Sequence, residues 1–152
     1  MVAIPEKYMD LMTEKKALAN LATVMADGSP QVTPVWFDYV GGAIRVNSAR
    51  GRVKDRNMKE GAPVALSILD PDNAYRYLQV RGRVRKVTEG GAAAHIDSLA
   101  KKYLGVDKYP YAQPGDVRVH RRPFGGDRIV VCLGIVCGQS PESVGRIRCR
   151  GQ

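Results

Sequence analysis

The stretch NLATVMADGSPQVTPVWFDYVGGAIRVN, residues 20–47, contains three short runs of apolar and β-branched residues. Two pairs of turn-forming residues separate these runs, Asp27-Gly28 and Gly41-Gly42. Both pairs are strong signals for a β-hairpin. The stretch therefore predicts three antiparallel strands in a meander, and it favours a β-rich fold for the chain.

Pro34 lies in the middle strand of this meander. The two-residue period of a strand places it on one face with Val32 and Trp36. Proline has no backbone N–H to donate to a neighbouring strand. We therefore expect this strand to be an edge strand, to be bulged, or to have a neighbour other than a strand beside Pro34.

Three helical segments are predicted around the meander. The first runs from about Pro5 to Leu18, because Pro5 suits a first turn and apolar residues then recur at helical spacing. The second is a helical turn in RVKDRNMKEGAP that ends at Gly61, and the third is GGAAAHIDSLAKKYLG, which Gly105 terminates.

Three further strands complete the predicted secondary structure. PVALSIL is nearly all apolar, so we expect it to be buried on both faces. YRYLQVRGRVRKVT is a longer strand, and Gly82 within it indicates a bulge or a close approach of another backbone. A sixth strand begins at Val117. The economical architecture is mainly β with flanking helices, a six-stranded antiparallel β-barrel.

The overall composition limits the kind of partner. The chain has 152 residues, which fits one domain, and its formal net charge of +9 indicates an anionic partner such as nucleic acid, a membrane surface or a phosphorylated small molecule. It has no apolar run of the roughly 20 residues that span a bilayer and no signal-peptide pattern, so we expect a cytoplasmic protein without a membrane partner. The three cysteines form no C-x-x-C pair, and no metal site is predicted.

The densest positive charge lies in NSARGRVKDRNMK, residues 47–59, directly after the third strand of the meander. Its cations are accompanied by one acid, Asp55. Guanidinium and ammonium groups that converge at a strand end near a helix start favour a phosphate or a phosphodiester. The run equally fits a solvated basic turn. Nucleic acid is disfavoured, because aromatic residues are few and no nucleic-acid-binding motif is present.

Four linked segments carry a resemblance to a known family: ATVMADGSPQVTPVWFDY, NSARGRVKDRNM, ALSILDPDNAYRYLQVRGRV and HIDSLAKKYLGVDKYP. In this order and spacing the chain, from about Ala17 to Val119, resembles the pyridoxamine-phosphate-oxidase-like family of FMN-binding split barrels. Within that family it looks like the branch of oxidoreductases that depend on the deazaflavin coenzyme F420, which are common in actinobacteria. The resemblance implies a dimeric split β-barrel with a cofactor groove between two subunits.

By motif match, the resemblance also implies which residues bind the cofactor. Its phosphate-bearing tail would be held by cations of the basic stretch, with neutral hydrogen-bond partners beside them. Its ring would lie along the second strand, and two tyrosines would line the pocket from the same or the other subunit. The implied cations are Arg52, Lys54 and Arg56, and the implied neutral partners are Asn47, Ser48 and Asn57. The implied ring contacts are Thr33, Pro34, Val35 and Trp36, and the two tyrosines are Tyr75 and Tyr77.

The implied activity is transfer of hydride from reduced F420 to an electron-poor, conjugated small molecule. This reaction needs no catalytic side chain beyond those that position the cofactor and substrate, and none is predicted. One alternative is an FMN-dependent oxidase or reductase of the pyridoxamine-phosphate-oxidase type. Another is a non-catalytic protein that binds F420 or another anionic ligand. The aromatic residues also fit core or interface packing, and His95 and His120 fit structural roles.

The chain departs from the family pattern after Val119. We assign residues 1–119 to the split-barrel cofactor-binding domain and residues 120–152 to an atypical C-terminal segment. Lysine is absent there, whereas arginines and all three cysteines are present. We hypothesise a diverged or frame-shifted segment in which RIVVCLGIV supplies a last strand and a mobile tail follows.

Overall fold

The computed structural model describes residues 4–123, and within that range it contains seven strands and three α-helices. The strands are β1 (Ala19–Val24), β2 (Pro30–Val35), β3 (Phe37–Val40), β4 (Ala43–Ala49), β5 (Pro63–Asp70), β6 (Asn73–Thr88) and β7 (Arg118–Pro123). The helices are α1 (Met9–Thr13), which follows a 3₁₀ turn at Glu6–Tyr8, α2 (Val53–Asn57) and α3 (Ala92–Leu104). None of these helices is long and apolar enough to cross a membrane.

The strands form one antiparallel sheet in the order β2-β1-β5-β6-β7-β4-β3. The two end strands, β2 and β3, follow one another in the chain with only Trp36 between them. Two residues of extended chain span at most about 7 Å, so the two edges of the sheet must lie side by side. The predicted mainly β barrel with flanking helices is confirmed.

The barrel has seven described strands rather than the predicted six, because the second strand of the meander divides at Trp36. Its first part, β2, pairs with β1, whereas its second part, β3, pairs with β4 at the other end of the sheet. Pro34 faces Asn20 of β1, and among residues 4–123 β2 has no second strand partner. The expectation of an edge strand at Pro34 is therefore confirmed.

The long strand β6 joins the two halves of the sheet. Its first part pairs with β5 and its second part pairs with β7. Gly82 lies in regular register opposite Val64, so the bulge, one of the two alternatives predicted there, is wrong. The register shifts instead between Val84 and Lys86, where β6 has left β5 and pairs with β7.

Two other elements differ from their predictions. The N-terminal helix ends at Thr13 rather than near Leu18. Just after it, Lys15 Nζ contacts carboxylate oxygens of Asp70 (2.6 Å) at the end of β5 and of Asp72 (2.8 Å) in the turn before β6. In β5, burial alternates between fully buried and half-buried residues, so only one face is in the core. The helices predicted in the basic stretch and before Gly105 are confirmed as α2 and α3.

The last described strand, β7, crosses the predicted domain boundary at Val119. It pairs with β4 on one side and with β6 on the other, so it is an integral part of the sheet. The strand predicted in RIVVCLGIV and the predicted mobile tail lie outside the described residues. The division into residues 1–119 and 120–152 stays a prediction.

A buried ion pair fixes α2 against β7. The side chain of Arg121 is 2% exposed, and its Nη2 donates to Asp55 Oδ1 at 2.5 Å. Its Nε donates to the carbonyl oxygen of Met58 at 2.7 Å, and Nη2 also reaches the carbonyl oxygen of Asp55 at 3.0 Å. The guanidinium of Arg121 therefore binds both the side chain of Asp55 and the backbone at the C-terminal end of α2.

We expect the substitution Arg121→Met to lower the free energy of unfolding by about 3–5 kcal/mol, because Asp55 would be left buried without its partner. Urea denaturation followed by circular dichroism measures this loss. Arg85→Ala is the matched control: Arg85 is exposed, and we expect a change within about 0.5 kcal/mol. A loss for Arg121→Met no larger than for this control would show that the pair does not hold α2.

Candidate anion-binding site

A cavity of about 180 Å³ lies where the end of β2, α2, α3 and the start of β7 meet. Cationic and neutral polar groups line part of it, and apolar and aromatic side chains line the rest. The lining residues are Pro34, Val35, Trp36, Asn47, Arg52, Lys54, Ile96, Leu99, Tyr109, Tyr111 and Arg118. No acidic side chain is among them, so an anion is the expected charged occupant.

Arg52 and Lys54 carry unpaired positive charge into this cavity. Within residues 4–123, neither side chain makes a hydrogen bond or an ion pair. Lys54 is half-buried, and its pKa is lowered by burial first and then by repulsion from Arg52 and Arg118. A cation that is partly buried among other cations is stabilised when an anion binds beside it.

Asp55, the one acid of the basic stretch, does not neutralise these two cations. Its carboxylate is buried, and it accepts hydrogen bonds from the backbone N–H of Gly51 at 3.0 Å and from Arg121. Arg50 Nη1 lies 3.9 Å from Asp55 Oδ1, and Arg50 Nη2 pairs with Glu89 at 2.7 Å. The acid therefore anchors α2 from inside, and the charges of Arg52 and Lys54 remain available on the cavity side.

Aromatic rings form part of the wall of the cavity. Trp36 stacks on Tyr103 of α3 with ring centroids 5.2 Å apart and planes 4° from parallel. Its other neighbour is Tyr109, whose ring meets it edge to face at 5.9 Å. Trp36 is the residue at which the chain passes from β2 to β3. Its ring contacts therefore stabilise both the closure of the barrel and the wall of the cavity.

Tyr103 ties this closure to the first strand. Its hydroxyl donates to the carbonyl oxygen of Ala17 at 2.8 Å and accepts from the backbone N–H of Phe37 at 3.3 Å. Burial raises the pKa of Tyr103 to about 12, which outweighs the hydrogen bond with Phe37. The phenol is therefore neutral at physiological pH and acts as a bridge between the start of β1 and the start of β3.

Asn47 is held at the cavity by a chain of polar contacts. Its Nδ2 donates to the carbonyl oxygen of Ala92 at 2.8 Å and lies 3.3 Å from His95 Nδ1. His95 Nε2 lies 3.4 Å from Asp38 Oδ1. Burial raises the pKa of Asp38, but the interactions with His95 and Arg45 outweigh burial and lower this pKa to about 2. His95 thus contributes to structure around Asn47.

The cavity brings together half of the twelve residues that the sequence predicted as cofactor contacts. Those that line it are Pro34, Val35, Trp36, Asn47, Arg52 and Lys54. They come from β2, its junction with β3, β4 and the start of α2. Their convergence follows from the sheet order, which places the end of β2 next to β3 and β4.

The other six predicted residues do not line the cavity. Four of them are close in sequence to lining residues, but their side chains bond to other protein groups. Thr33 accepts a hydrogen bond from Gln31, and Ser48 donates to the carbonyl oxygen of Ala49 at 3.2 Å. Arg56 donates to the carbonyl oxygen of Gly51 at 2.6 Å, and Asn57 donates to Thr23 Oγ1 at 3.0 Å. Tyr75 and Tyr77 lie on β6, where Tyr75 is exposed and Tyr77 is half-buried. Their predicted roles stay predictions.

Five lining residues were not predicted. Ile96 and Leu99 belong to the apolar face of α3, which the sequence pattern predicted as core. Tyr109 and Tyr111 lie in the loop before β7, and Arg118 is the first residue of β7. No local signal in the sequence indicates that this loop covers the cavity, because its position depends on how α3 and β7 pack.

Comparisons with known proteins agree with this fold. The sequence profile of the family described as Pyridoxamine 5'-phosphate oxidase matches residues 4–123. A solved structure described as an F420 reductase is 38% identical to this chain and has a TM-score of 0.67; the match covers 80% of this chain and 97% of that one. No curated protein matches the chain.

More distant structures share the fold alone. A conserved hypothetical protein from Mycobacterium tuberculosis is 20% identical, with a TM-score of 0.58 and coverage of 92% of this chain and 95% of its own. A heme storage protein from Vibrio cholerae is 14% identical, with a TM-score of 0.56 and coverage of 86% and 95%. At these identities the barrel is shared, and no ligand follows from the likeness.

We expect Tyr103→Phe to lower the free energy of unfolding by about 1–3 kcal/mol at neutral pH, because the carbonyl oxygen of Ala17 loses its donor. The cost should shrink above pH ~10, where the unfolded tyrosine ionises while the folded phenol stays neutral up to about 12. Stability that depends on Tyr103 is thus lost as the pH rises through this window. Urea denaturation of both proteins near pH 8 and near pH 11 measures the difference. A difference that stays constant with pH would contradict the raised pKa.

Proposed function

Because this chain belongs to the pyridoxamine 5'-phosphate oxidase family, we propose that it is an F420-dependent oxidoreductase. It would pass hydride from the reduced coenzyme to an electron-poor, conjugated small molecule. The observation that carries the proposal is the pair of unpaired cations, Arg52 and Lys54, beside an apolar and aromatic wall in one cavity. The 38% identity to a structure described as an F420 reductase supports F420 over other cofactors.

The residues present fit the charge and shape of such a coenzyme. Arg52 and Lys54 would bind the phosphate, and Arg56, two residues further along α2, would add to the positive field around it. Pro34, Val35 and Trp36 would contact the ring, and a planar ring against Trp36 would gain stacking and exclude water. Thr33, Asn47, Ser48 and Asn57 would supply neutral hydrogen-bonding groups around these contacts.

The coenzyme, when bound, would supply the hydride. The protein would contribute position and surroundings. The proton that must join the hydride on the reduced substrate would come from solvent or from Lys54, Tyr109 or Tyr111, the lining side chains that can donate one. The cations would fix the tail, so that the ring has one place to lie along β2. The aromatic wall, held by Tyr103 and α3, would exclude water from one side of the site.

The cavity is too small for the whole coenzyme. Pockets that bury most of a drug-sized ligand have volumes of about 300–1,000 Å³, whereas this cavity has about 180 Å³. We therefore propose that a second copy of the chain completes the site in a homodimer. Tyr75 and Tyr77, which do not line the cavity of their own chain, would then reach the cofactor of the partner.

The surface that would form the dimer is the outer face of β1, β2, β5 and β6. It carries exposed Val24, Val32 and Tyr75 and half-buried Leu69 and Tyr77. Several apolar side chains exposed on the outside of one sheet are a candidate for contact between proteins. Its strands include β2, which also contributes to the cavity.

FMN is the second candidate cofactor. Its phosphate would bind the same two cations, and the family profile is that of pyridoxamine 5'-phosphate oxidase. A non-catalytic binding role would use the same site without turnover. Oxidation of the reduced coenzyme by a conjugated acceptor separates an enzyme from such a binding protein.

We expect the double variant Arg52→Ala, Lys54→Ala to bind F420 at least ~100-fold more weakly, because each lost charged hydrogen bond contributes about 1.5–3 kcal/mol. Titration of the protein with F420 and, in parallel, with FMN at moderate salt measures the affinities through cofactor fluorescence. The matched control is Arg85→Ala, Lys86→Ala, which removes two exposed cations of β6 and the same net charge. Tighter binding of FMN than of F420 would indicate a flavin-dependent protein. An equal loss of F420 affinity in both double variants would show that only the net charge of the protein matters, and not the cavity.

We expect Val32→Arg to convert the dimer to a monomer and to weaken cofactor binding, because a charge would be buried in the proposed interface. Sedimentation velocity at several protein concentrations measures the assembly. Val40→Arg, at the tip of the hairpin between β3 and β4, introduces the same charge at another exposed valine and should leave the dimer intact. A wild-type protein that sediments as a monomer while it binds F420 would contradict the shared site.

A further inference from the structure

Arg118 is a third cation of the cavity, and its surroundings differ from those of Arg52 and Lys54. Its Nη2 donates to Asp116 Oδ2 at 2.9 Å, and its guanidinium carbon lies 4.6 Å from the centre of the Tyr109 ring. Its remaining N–H groups have no partner among residues 4–123. Arg118 is therefore held in place, partly neutralised, and still able to donate to a ligand.

The ring of Tyr109 is itself fixed. Its backbone N–H donates to Asp97 Oδ1 of α3 at 2.9 Å, and the neighbouring Lys108 Nζ contacts Asp97 Oδ2 at 2.8 Å. The ring of Tyr111 follows at 5.6 Å, edge to face, and this side chain is 58% exposed. A row of three rings therefore runs from Trp36 through Tyr109 to Tyr111 at the surface.

Arg118 lies near Lys54 in the same cavity, but its charge balance differs from that of the proposed phosphate site. Arg52 and Lys54 carry net positive charge, which suits tight retention of a cofactor anion. Asp116 compensates Arg118, so a second anion there is bound more weakly and exchanges more readily. Weak, oriented binding suits a substrate that must enter and leave in each turnover.

We propose that Arg118, Tyr109 and Tyr111 form a substrate site for a planar, conjugated carboxylic acid. The carboxylate accepts hydrogen bonds from the free edge of the Arg118 guanidinium, and the conjugated plane packs along the tyrosine rings toward Trp36. This inference rests on the proposed function, because the ring of the cofactor would lie beside Trp36. It extends that function by naming the charge and the shape of the substrate.

Tyr109 links the proposed carboxylate position to the proposed cofactor site. Tyr109 contacts both Arg118 and Trp36, so one ring separates the carboxylate position from the wall of the proposed cofactor site. A carboxylate on Arg118 thus leaves a conjugated double bond close to that wall. Guanidinium groups bind carboxylates through paired, planar hydrogen bonds, which also orient the plane of the acid.

The test compares trans-cinnamate with methyl cinnamate, which has the same conjugated plane without the charge. Isothermal titration calorimetry measures the binding of each to the wild-type protein without cofactor and to the variants Arg118→Gln, Arg118→Lys and Tyr111→Ala. F420 fluorescence titration of the same proteins measures cofactor affinity. Thermal unfolding of each variant establishes that it is folded.

We expect the wild-type protein to bind cinnamate about tenfold more tightly than the ester. Arg118→Gln should abolish this preference and change F420 affinity by less than about threefold, whereas Arg118→Lys should retain part of it. Tyr111→Ala should weaken acid and ester by the same factor, since it removes ring contact and no charge. Lys101→Gln, which removes an exposed cation of α3 that is paired with Asp107, is the charge control. It should change neither the preference for the acid over the ester nor the affinity for F420.

Equal affinities for the acid and the ester in the wild-type protein would overturn the substrate site. So would an Arg118→Gln variant that loses F420 as severely as the Arg52→Ala, Lys54→Ala variant and keeps its preference for the acid, because Arg118 would then belong to the cofactor. Failure of the proposed function has a different signature, in which neither F420 nor FMN binds. Selective cinnamate binding through Arg118 would in that case still establish the carboxylate site.

Discussion

The buried ion pair between Arg121 and Asp55 is the constraint on which the candidate site depends. A guanidinium in the last described strand donates to the side chain of the one acid in the basic stretch and to carbonyl oxygens at both Asp55 and Met58. Burial of two charges is costly unless hydrogen bonds compensate it. Here the Asp55 carboxylate accepts from Gly51 and Arg121, and Arg121 donates through Nε and Nη2, while its Nη1 has no partner among the described residues. The result is a short helix, α2, that is fixed by tertiary contacts rather than by its own length.

This pair also determines the charge of the cavity. If Asp55 faced Arg52 or Lys54, it would offset part of the positive charge on the cavity side. Because Asp55 is buried against Arg121, Arg52 and Lys54 remain without an acid among the described residues. The pKa of Lys54 is lowered by its burial first and then by repulsion from Arg52 and Arg118. The same interaction thus stabilises the fold and prepares a place for an anion.

Closure of the barrel supplies the other wall. The sheet begins with β2 and ends with β3, and Trp36 is the single residue between them. Tyr103 stacks on Trp36 and connects Ala17 to Phe37 through its hydroxyl, so helix α3 holds the closing point. Packing that closes the barrel therefore also makes the apolar side of the site, next to the cations of α2.

Local patterns in the sequence determined the mainly β class, the two hairpins of the meander and the helices α2 and α3. Linked motifs determined the family, and with it six of the residues that line the cavity. These features depend on periodicity, turn residues and neighbours close in the chain. The split of the second strand at Trp36, the inward direction of Asp55 and the arrival of Tyr109 and Arg118 were decided by tertiary structure. Asp55 and Arg121 are 66 residues apart, as are Phe37 and Tyr103, and only the order of strands in the closed sheet brings such pairs together.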